Sequence, residues 1–296
     1  MNLEQMTAKI ATGSGFIAAL DQSGGSTPKA LRGYGVEDSE WSGDDEMFAA
    51  IHAMRSRVIT APSFASGKVI GAILFEKTMD GIVEGLPTPD ALKQRGVVPF
   101  IKVDQGLEDE ANGVQLMKDM TRLDELLDKS VAAGMFGTKM RSVIKSANAA
   151  GIAANVAQQF EYGNRIADKG LVPMIEPEYD ITANDRAEGE QILAAEVMKN
   201  LDALPEGRKV MLKLSIPVES NLYAPAIAHP NVLRVVALSG GYSTDDACEH
   251  LSKNAGMIAS FSRGLLQDLR KGQSDVEFDA ALGQAIDQIA AASAAG

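Results

Sequence analysis

The chain has 296 residues, of which 45% are hydrophobic and 23% charged, with one cysteine and three histidines. That length allows a large core and suits an α/β barrel, which typically runs to about 250 residues. A net charge of −12 argues against a nucleic-acid or anionic-membrane surface, while leaving room for a local basic cluster that binds a small anion.

Met1 to Ile10 is polar and amphipathic and lacks the apolar core of a secretory leader. The first strand is expected over Gly15–Asp21, followed by a helix over Glu46–Arg57 with Met47, Ile51 and Met54 at helical spacing. Strands follow over Val69–Phe75, Val97–Val103 and Phe136–Arg141, with helical patterns over Leu123–Ala133 and Ser142–Asn148. Four more strands are expected over Leu171–Glu176, Val210–Ser215, Val232–Leu238 and Met257–Ser262. Helices are expected over Asn184–Leu201, Thr244–Lys253 and, at the Ala-rich end, Val276–Ala292. Alternating strands and helices imply a parallel sheet, and eight such units imply a single-domain (β/α)8 TIM barrel over residues 1–296. No Pro/Gly/Ser-rich linker divides the chain, and no apolar run approaches the ~20 residues of a membrane span.

Cys248 stands alone, so no intramolecular disulfide and no Cys-rich metal site can form, which fits a reducing compartment. His52, His229 and His250 show no metal-ligand spacing. The expectation is a cytoplasmic protein with no metal and no cofactor, compatible with a homo-oligomer.

The informative residues are the polar ones at the ends of otherwise apolar strands. Both faces of a parallel barrel strand are covered, so charges there are costly unless paired or used. Active sites of this fold sit at those C-terminal strand ends. Strand one ends in Asp21, strand three carries Lys102 and Asp104, and strand four carries Lys139 and Arg141. Strand five ends in Glu176 and Glu178, and strand six carries Lys213 between apolar neighbours. Strand seven runs into Ser239-Gly240-Gly241, and strand eight into Ser260 and Arg263. Side chains alternate at period two, so Lys139 shares a face with Arg141 and Glu176 with Glu178.

Burial and a neighbouring cation both disfavour the charged form of a lysine, the state that must be left before it attacks a carbonyl. Lys213 has the apolar surroundings and Lys139 is the candidate cation; the same spacing also fits a lysine that snorkels out of the strand end. The Ser239-Gly240-Gly241 turn lets backbone N–H groups approach a phosphate, and is equally a tight strand-to-helix turn.

The segments AALDQSGGSTPKAL, GVVPFIKVDQG, FGTKMRS, GLVPMIEPE, VMLKLSIP, VVALSGGYS and MIASFSR, in this order, resemble the bacterial branch of the class I fructose-bisphosphate aldolases. The resemblance implies a metal-independent barrel that cleaves fructose 1,6-bisphosphate into two triose phosphates in glycolysis and gluconeogenesis. It implies Lys213 as the Schiff-base lysine, Glu176 as principal acid and base, Asp21 acting on substrate hydroxyls, Lys139 tuning Lys213, and Glu178 positioning the lysines. Ser239, Gly240, Ser260 and Arg263 would hold the phosphate of the dihydroxyacetone half, and Ser23, Ser26, Lys102 and Arg141 the other. Sugar phosphates are then the partners. The chain departs from the animal pattern, which has Glu where Gln22 stands, Gly where Ser262 stands, and a C-terminal tyrosine; the last tyrosine here is Tyr242. A lysine-dependent barrel aldolase acting on a monophosphate, and a non-catalytic sugar-phosphate sensor or surface adhesin on the same scaffold, are the alternative readings.

Overall fold

The computed structural model describes residues Met1–Gly296. Eight parallel strands follow one another around one sheet in chain order: Phe16–Leu20, Val69–Leu74, Val98–Lys102, Gly137–Ile144, Val172–Tyr179, Val210–Ser215, Val232–Leu238 and Met257–Ala259. The first and eighth meet where Ala19 N donates to Phe261 O at 3.3 Å, so the sheet closes into a (β/α)8 TIM barrel. The strands are buried on both faces and therefore read as near-continuous apolar runs. That is why all eight were legible, the sixth and seventh to the residue.

Helices fill the steps between strands. The longest are Gly43–Thr60, Ala149–Asp168, Arg186–Asp202 and Asp275–Ala295. Asp275–Ala295 begins with a capping box in which the Ser274 side chain takes Glu277 N and Glu277 reaches back to Ser274 N. One expectation fails. Ser142–Asn148 is not helical: the fourth strand runs on to Ile144, and the helix starts only after Asn148, whose side chain accepts from Gly151 N. The β-branched pair Val143-Ile144 extends the strand. Val114–Gln115 pairs antiparallel with it and further fixes this stretch in the sheet.

Two apolar layers sandwich the strands. The larger lies between sheet and helices. The smaller fills the barrel interior with Ile17, Ile73, Phe100, Met174, Met211, Val236 and Ile258, and is closed below by Met6 and Ile10 of the helix Leu3–Thr12. Arg234 fastens that helix by donating to Ala11 O at 2.9 Å and Gly13 O at 2.8 Å. Fully burying an aliphatic or aromatic side chain of this kind contributes about 1.5–3 kcal/mol. The barrel interior is thus apolar and plugged at one end. Two residues further along four of the strands, on the same inward face, the chemistry begins: Phe100 is followed by Lys102, Met174 by Glu176, Met211 by Lys213 and Ile258 by Ser260.

Candidate active site

A cavity of about 1230 Å³ opens at the C-terminal strand ends. It is lined by all thirteen of the residues singled out above: Asp21, Ser23, Ser26, Lys102, Lys139, Arg141, Glu176, Glu178, Lys213, Ser239, Gly240, Ser260 and Arg263. The sequence spacing placed each at a strand end, and the closed barrel turns those ends toward one another.

At the floor of the cavity, acids and amines alternate. Asp21 Oδ2 lies 2.7 Å from Lys139 Nζ, Lys139 Nζ lies 3.0 Å from Glu176 Oε2, and Glu176 Oε1 lies 3.1 Å from Lys213 Nζ. The side chains of Lys139, Glu176 and Lys213 are each 5% exposed or less. The Glu176 Oε2 contact is a charge pairing only, since that buried oxygen takes part in no hydrogen bond.

The charges fix one another. Burial alone would raise the Asp21 carboxyl, but the ammonium groups of Lys139, Lys213 and Lys102 outweigh it and hold Asp21 well below the usual carboxylate range. Burial alone would lower the Lys139 ammonium, but Asp21, Glu176 and Asp104 outweigh it and hold Lys139 well above the usual lysine range. Lys139 was expected to supply a cation beside Lys213. The structure gives Lys139 two carboxylate partners as well, so its charge is matched on the spot.

The sign for stability follows. Asp21 has its folded value depressed, so it stabilises the fold above its unfolded value of ~3.9 and loses that contribution as pH falls through the lower folded one. Asp21→Asn is therefore expected to be less stable than wild type at neutral pH, with the gap closing below about pH 4. Melting temperature against pH checks this; a gap that stays constant down to pH ~2 contradicts it.

Around this floor the remaining groups form a rim. Lys102 and Lys139 sit side by side in register, and Lys102 Nζ is held 2.7 Å from Asp104 Oδ1. Asp104 also accepts from Arg141 N at 3.2 Å. Glu178 was expected to position the lysines, but its carboxylate takes Arg141 Nε instead. Burial alone would lower the Arg141 guanidinium, and that bond more than reverses it. The reason is register: Arg141 stands opposite Glu176, which is already committed to two lysines, and its long side chain reaches one step on to Glu178. Ser26 Oγ accepts from Ser23 N at 3.0 Å and donates to Ser23 O at 2.8 Å, shaping the turn into the helix Ser26–Tyr34.

Across the barrel from strands three and four lie the loops after strands seven and eight. Gly240 has φ +61°, and a Cβ there would come within 2.6 Å of Ile181 Cγ2, so this turn requires glycine. Ser260 Oγ is buried without a partner, and Arg263 is paired with no carboxylate. Donors without acceptors, on both a backbone turn and side chains, make this corner suited to an anion. The three histidines are far apart in role: His52 meets Ile82 O, His229 meets Asp202, and His250 packs on Tyr242.

Sequence reasoning missed Arg55. It lies in the helix Gly43–Thr60, is completely buried, and donates to Thr78 Oγ1 at 2.7 Å and Gln22 O at 2.5 Å. The signal was there: Arg55 falls four residues after Ile51 and three before Val58, on the apolar stripe of its helix.

Comparison with known proteins completes the picture. A family model described as fructose-bisphosphate aldolase class-I matches residues 2–219. The fructose-bisphosphate aldolase of Plasmodium falciparum, solved in complex with TRAP and a small-molecule inhibitor, superposes with a TM-score of 0.77 at 20% identity, covering 98% of this chain and 93% of that one. A protein of Corynebacterium glutamicum superposes with a TM-score of 0.57 at 14% identity, covering 98% of this chain and 92% of that one. At such identities the superpositions speak for the fold; the family match extends over about three quarters of the chain.

Proposed function

The chain belongs to the class I fructose-bisphosphate aldolases, a family of lyases, and on that premise we propose that it reversibly cleaves fructose 1,6-bisphosphate through a Schiff base on Lys213. One observation carries the reading: Lys213 is a buried amine whose single ionic partner, Glu176 Oε1, lies 3.1 Å away. Glu176 takes a proton from the amine, and the amine attacks the C2 ketone to give a carbinolamine. Glu176 then protonates the departing hydroxyl, water leaves, and the iminium forms. Asp21, held as a carboxylate by Lys139, accepts the C4-hydroxyl proton, and the C3–C4 bond breaks into the iminium. Glyceraldehyde 3-phosphate leaves first. Glu176, reprotonated from solvent while Asp21 releases its proton to solvent, protonates the enamine, and hydrolysis frees dihydroxyacetone phosphate and the amine. Lys139 is the fixed charge that keeps Asp21 and Glu176 in place through this cycle.

Ser239, Gly240, Ser260 and Arg263 hold the phosphate of the dihydroxyacetone half, and Lys102 and Arg141, with Ser23 and Ser26, hold the other. Strands three and four face strands seven and eight across the barrel, which favours a substrate with a phosphate at each end over a monophosphate. The direct test is borohydride reduction in the presence of fructose 1,6-bisphosphate, followed by peptide mass mapping. A reduced adduct on the peptide containing Lys213 is expected; cleavage without any adduct would exclude the Schiff-base route.

The two rims are expected to respond differently. Arg263 carries no partner, so Arg263→Ala removes a charge-assisted contact of roughly 1.5–3 kcal/mol, about tenfold or more in dihydroxyacetone phosphate affinity. Arg141→Ala is expected to leave that affinity within about twofold and to raise KM for the bisphosphate, because Arg141 serves the other end. Equal losses of dihydroxyacetone phosphate binding in both variants would contradict the division of the two sites.

A further inference from the structure

We propose that the Ser262 hydroxyl is a further phosphate donor at the loops after strands seven and eight, aimed into the cavity by Gln22, which is in turn set by Arg55. The identity of the ligand rests on the aldolase reading; the direction of the proton rests on hydrogen-bond polarity alone.

A guanidinium only donates. Arg55 sends one terminal nitrogen to Thr78 Oγ1 and the other to both oxygens of Gln22, the backbone O at 2.5 Å and Oε1 at 3.2 Å. The Gln22 amide must therefore show its oxygen to Arg55 and its nitrogen the other way. That nitrogen donates to Ala19 O at 3.3 Å and to Ser262 Oγ. Reversing the amide would set donor against donor at Arg55, a fully buried group, and leave two mismatches where there are none.

Ser262 Oγ is thus an acceptor toward Gln22, and its single proton is left to spend elsewhere. The residue stands at the start of the short helix Arg263–Leu266 but makes no side-chain capping bond, and the proton meets no protein acceptor. Gln22 and Ser262 both line the cavity, as does Ser260, whose buried Oγ is also without a partner. Two hydroxyls at period two, the Gly240 turn and Arg263 then present donors and no fixed acceptor, which matches a phosphate, an acceptor on every side. Positions 22 and 262 are both departures from the animal pattern, and here they touch. A glutamate at 22 would pair with Arg55 and, as an acceptor only, draw the Ser262 proton toward itself and away from the ligand.

Ser262 is a binding residue in this account, and Gln22 and Arg55 are positioning residues. The experiment measures binding of glycerol 3-phosphate, which has no ketone and forms no Schiff base, by calorimetry at neutral pH. Wild type is compared with Ser262→Ala, Ser262→Gly, Gln22→Glu and the double variant Gln22→Glu/Ser262→Ala. Both serine variants are expected to bind about tenfold more weakly. Gln22→Glu is expected to lose tenfold or more in wild type and at least about fivefold less than that in the Ser262→Ala background, because the residue it misdirects is gone. Wild-type affinity in both serine variants, effects of Gln22 and Ser262 that simply multiply, or failure of wild type to bind glycerol 3-phosphate would each overturn the proposal. The reaction itself is scored separately by borohydride trapping with fructose 1,6-bisphosphate. Absent trapping with intact Ser262-dependent binding would remove the aldolase reading and leave this one standing.

Discussion

Lys213→Met is expected to abolish borohydride trapping and to lower cleavage by a factor on the order of 10⁴ to 10⁶, the scale on which enzymes lose activity when a covalent nucleophile is removed. The choice among lysines is a real one, because Lys102 and Lys139 face the same cavity. Lys102 is bound to Asp104 at 2.7 Å, and Lys139 is bracketed by Asp21 and Glu176. Both are ion-paired with carboxylates in the cavity wall. Lys213 has the acid and base of the mechanism as its single ionic partner. The substitution should spare the fold: Glu176 keeps Lys139, so no buried carboxylate is stranded, and Met fills a similar volume. Full-stoichiometry trapping in Lys213→Met, with the adduct on Lys139, would overturn the assignment.

Lys139→Met is expected to behave differently on two counts. It strands Asp21, whose one close cation it removes, and leaves two carboxylates facing the single ammonium of Lys213. Breaking such a buried pair costs about 3–5 kcal/mol of stability. The amine of Lys213, which must give up a proton before it attacks a carbonyl, is then the one cation left to both acids. Trapping should therefore persist but slow, by on the order of a hundredfold, and recover in part as pH rises and the amine is freed. Pre-steady-state trapping rates across pH check this. A rate that falls by the same factor at every pH would mean that Lys139 acts on the substrate directly.

The contrast between these two lysines also marks how far the sequence could be read. Both were visible as charges in apolar strands, near the strand ends where this fold places its active sites. What was hidden was their pairing. Whether Arg141 would meet Glu176 or Glu178 depends on register between strands four and five, and on which acid two lysines had already claimed. No single strand carries that information. Arg55 was hidden for the opposite reason: the helical pattern around it is sound, and one arginine on an apolar stripe reads as an interruption until Gln22 and Thr78 are seen against it. Ser142–Asn148 was misjudged because a short run of mixed polarity satisfies either period, and only the pairing of Ser142–Ile144 with Pro177–Tyr179 and with Val114–Gln115 decides. The eight strands were legible because a buried parallel strand has few residues it can be made of.

The helix that plugs the barrel floor places a demand on timing. Its anchor, Arg234, lies 223 residues after Ala11 in the chain. A ribosome adding roughly 5–20 residues per second therefore finishes the helix about ten to forty-five seconds before the arginine that fastens it exists. Through that interval Met6 and Ile10 have no finished interior to enter, and the nascent chain carries an exposed apolar face. Slower translation lengthens this exposure, so the yield of active protein should depend on elongation rate upstream of codon 234 more than on the rate beyond it.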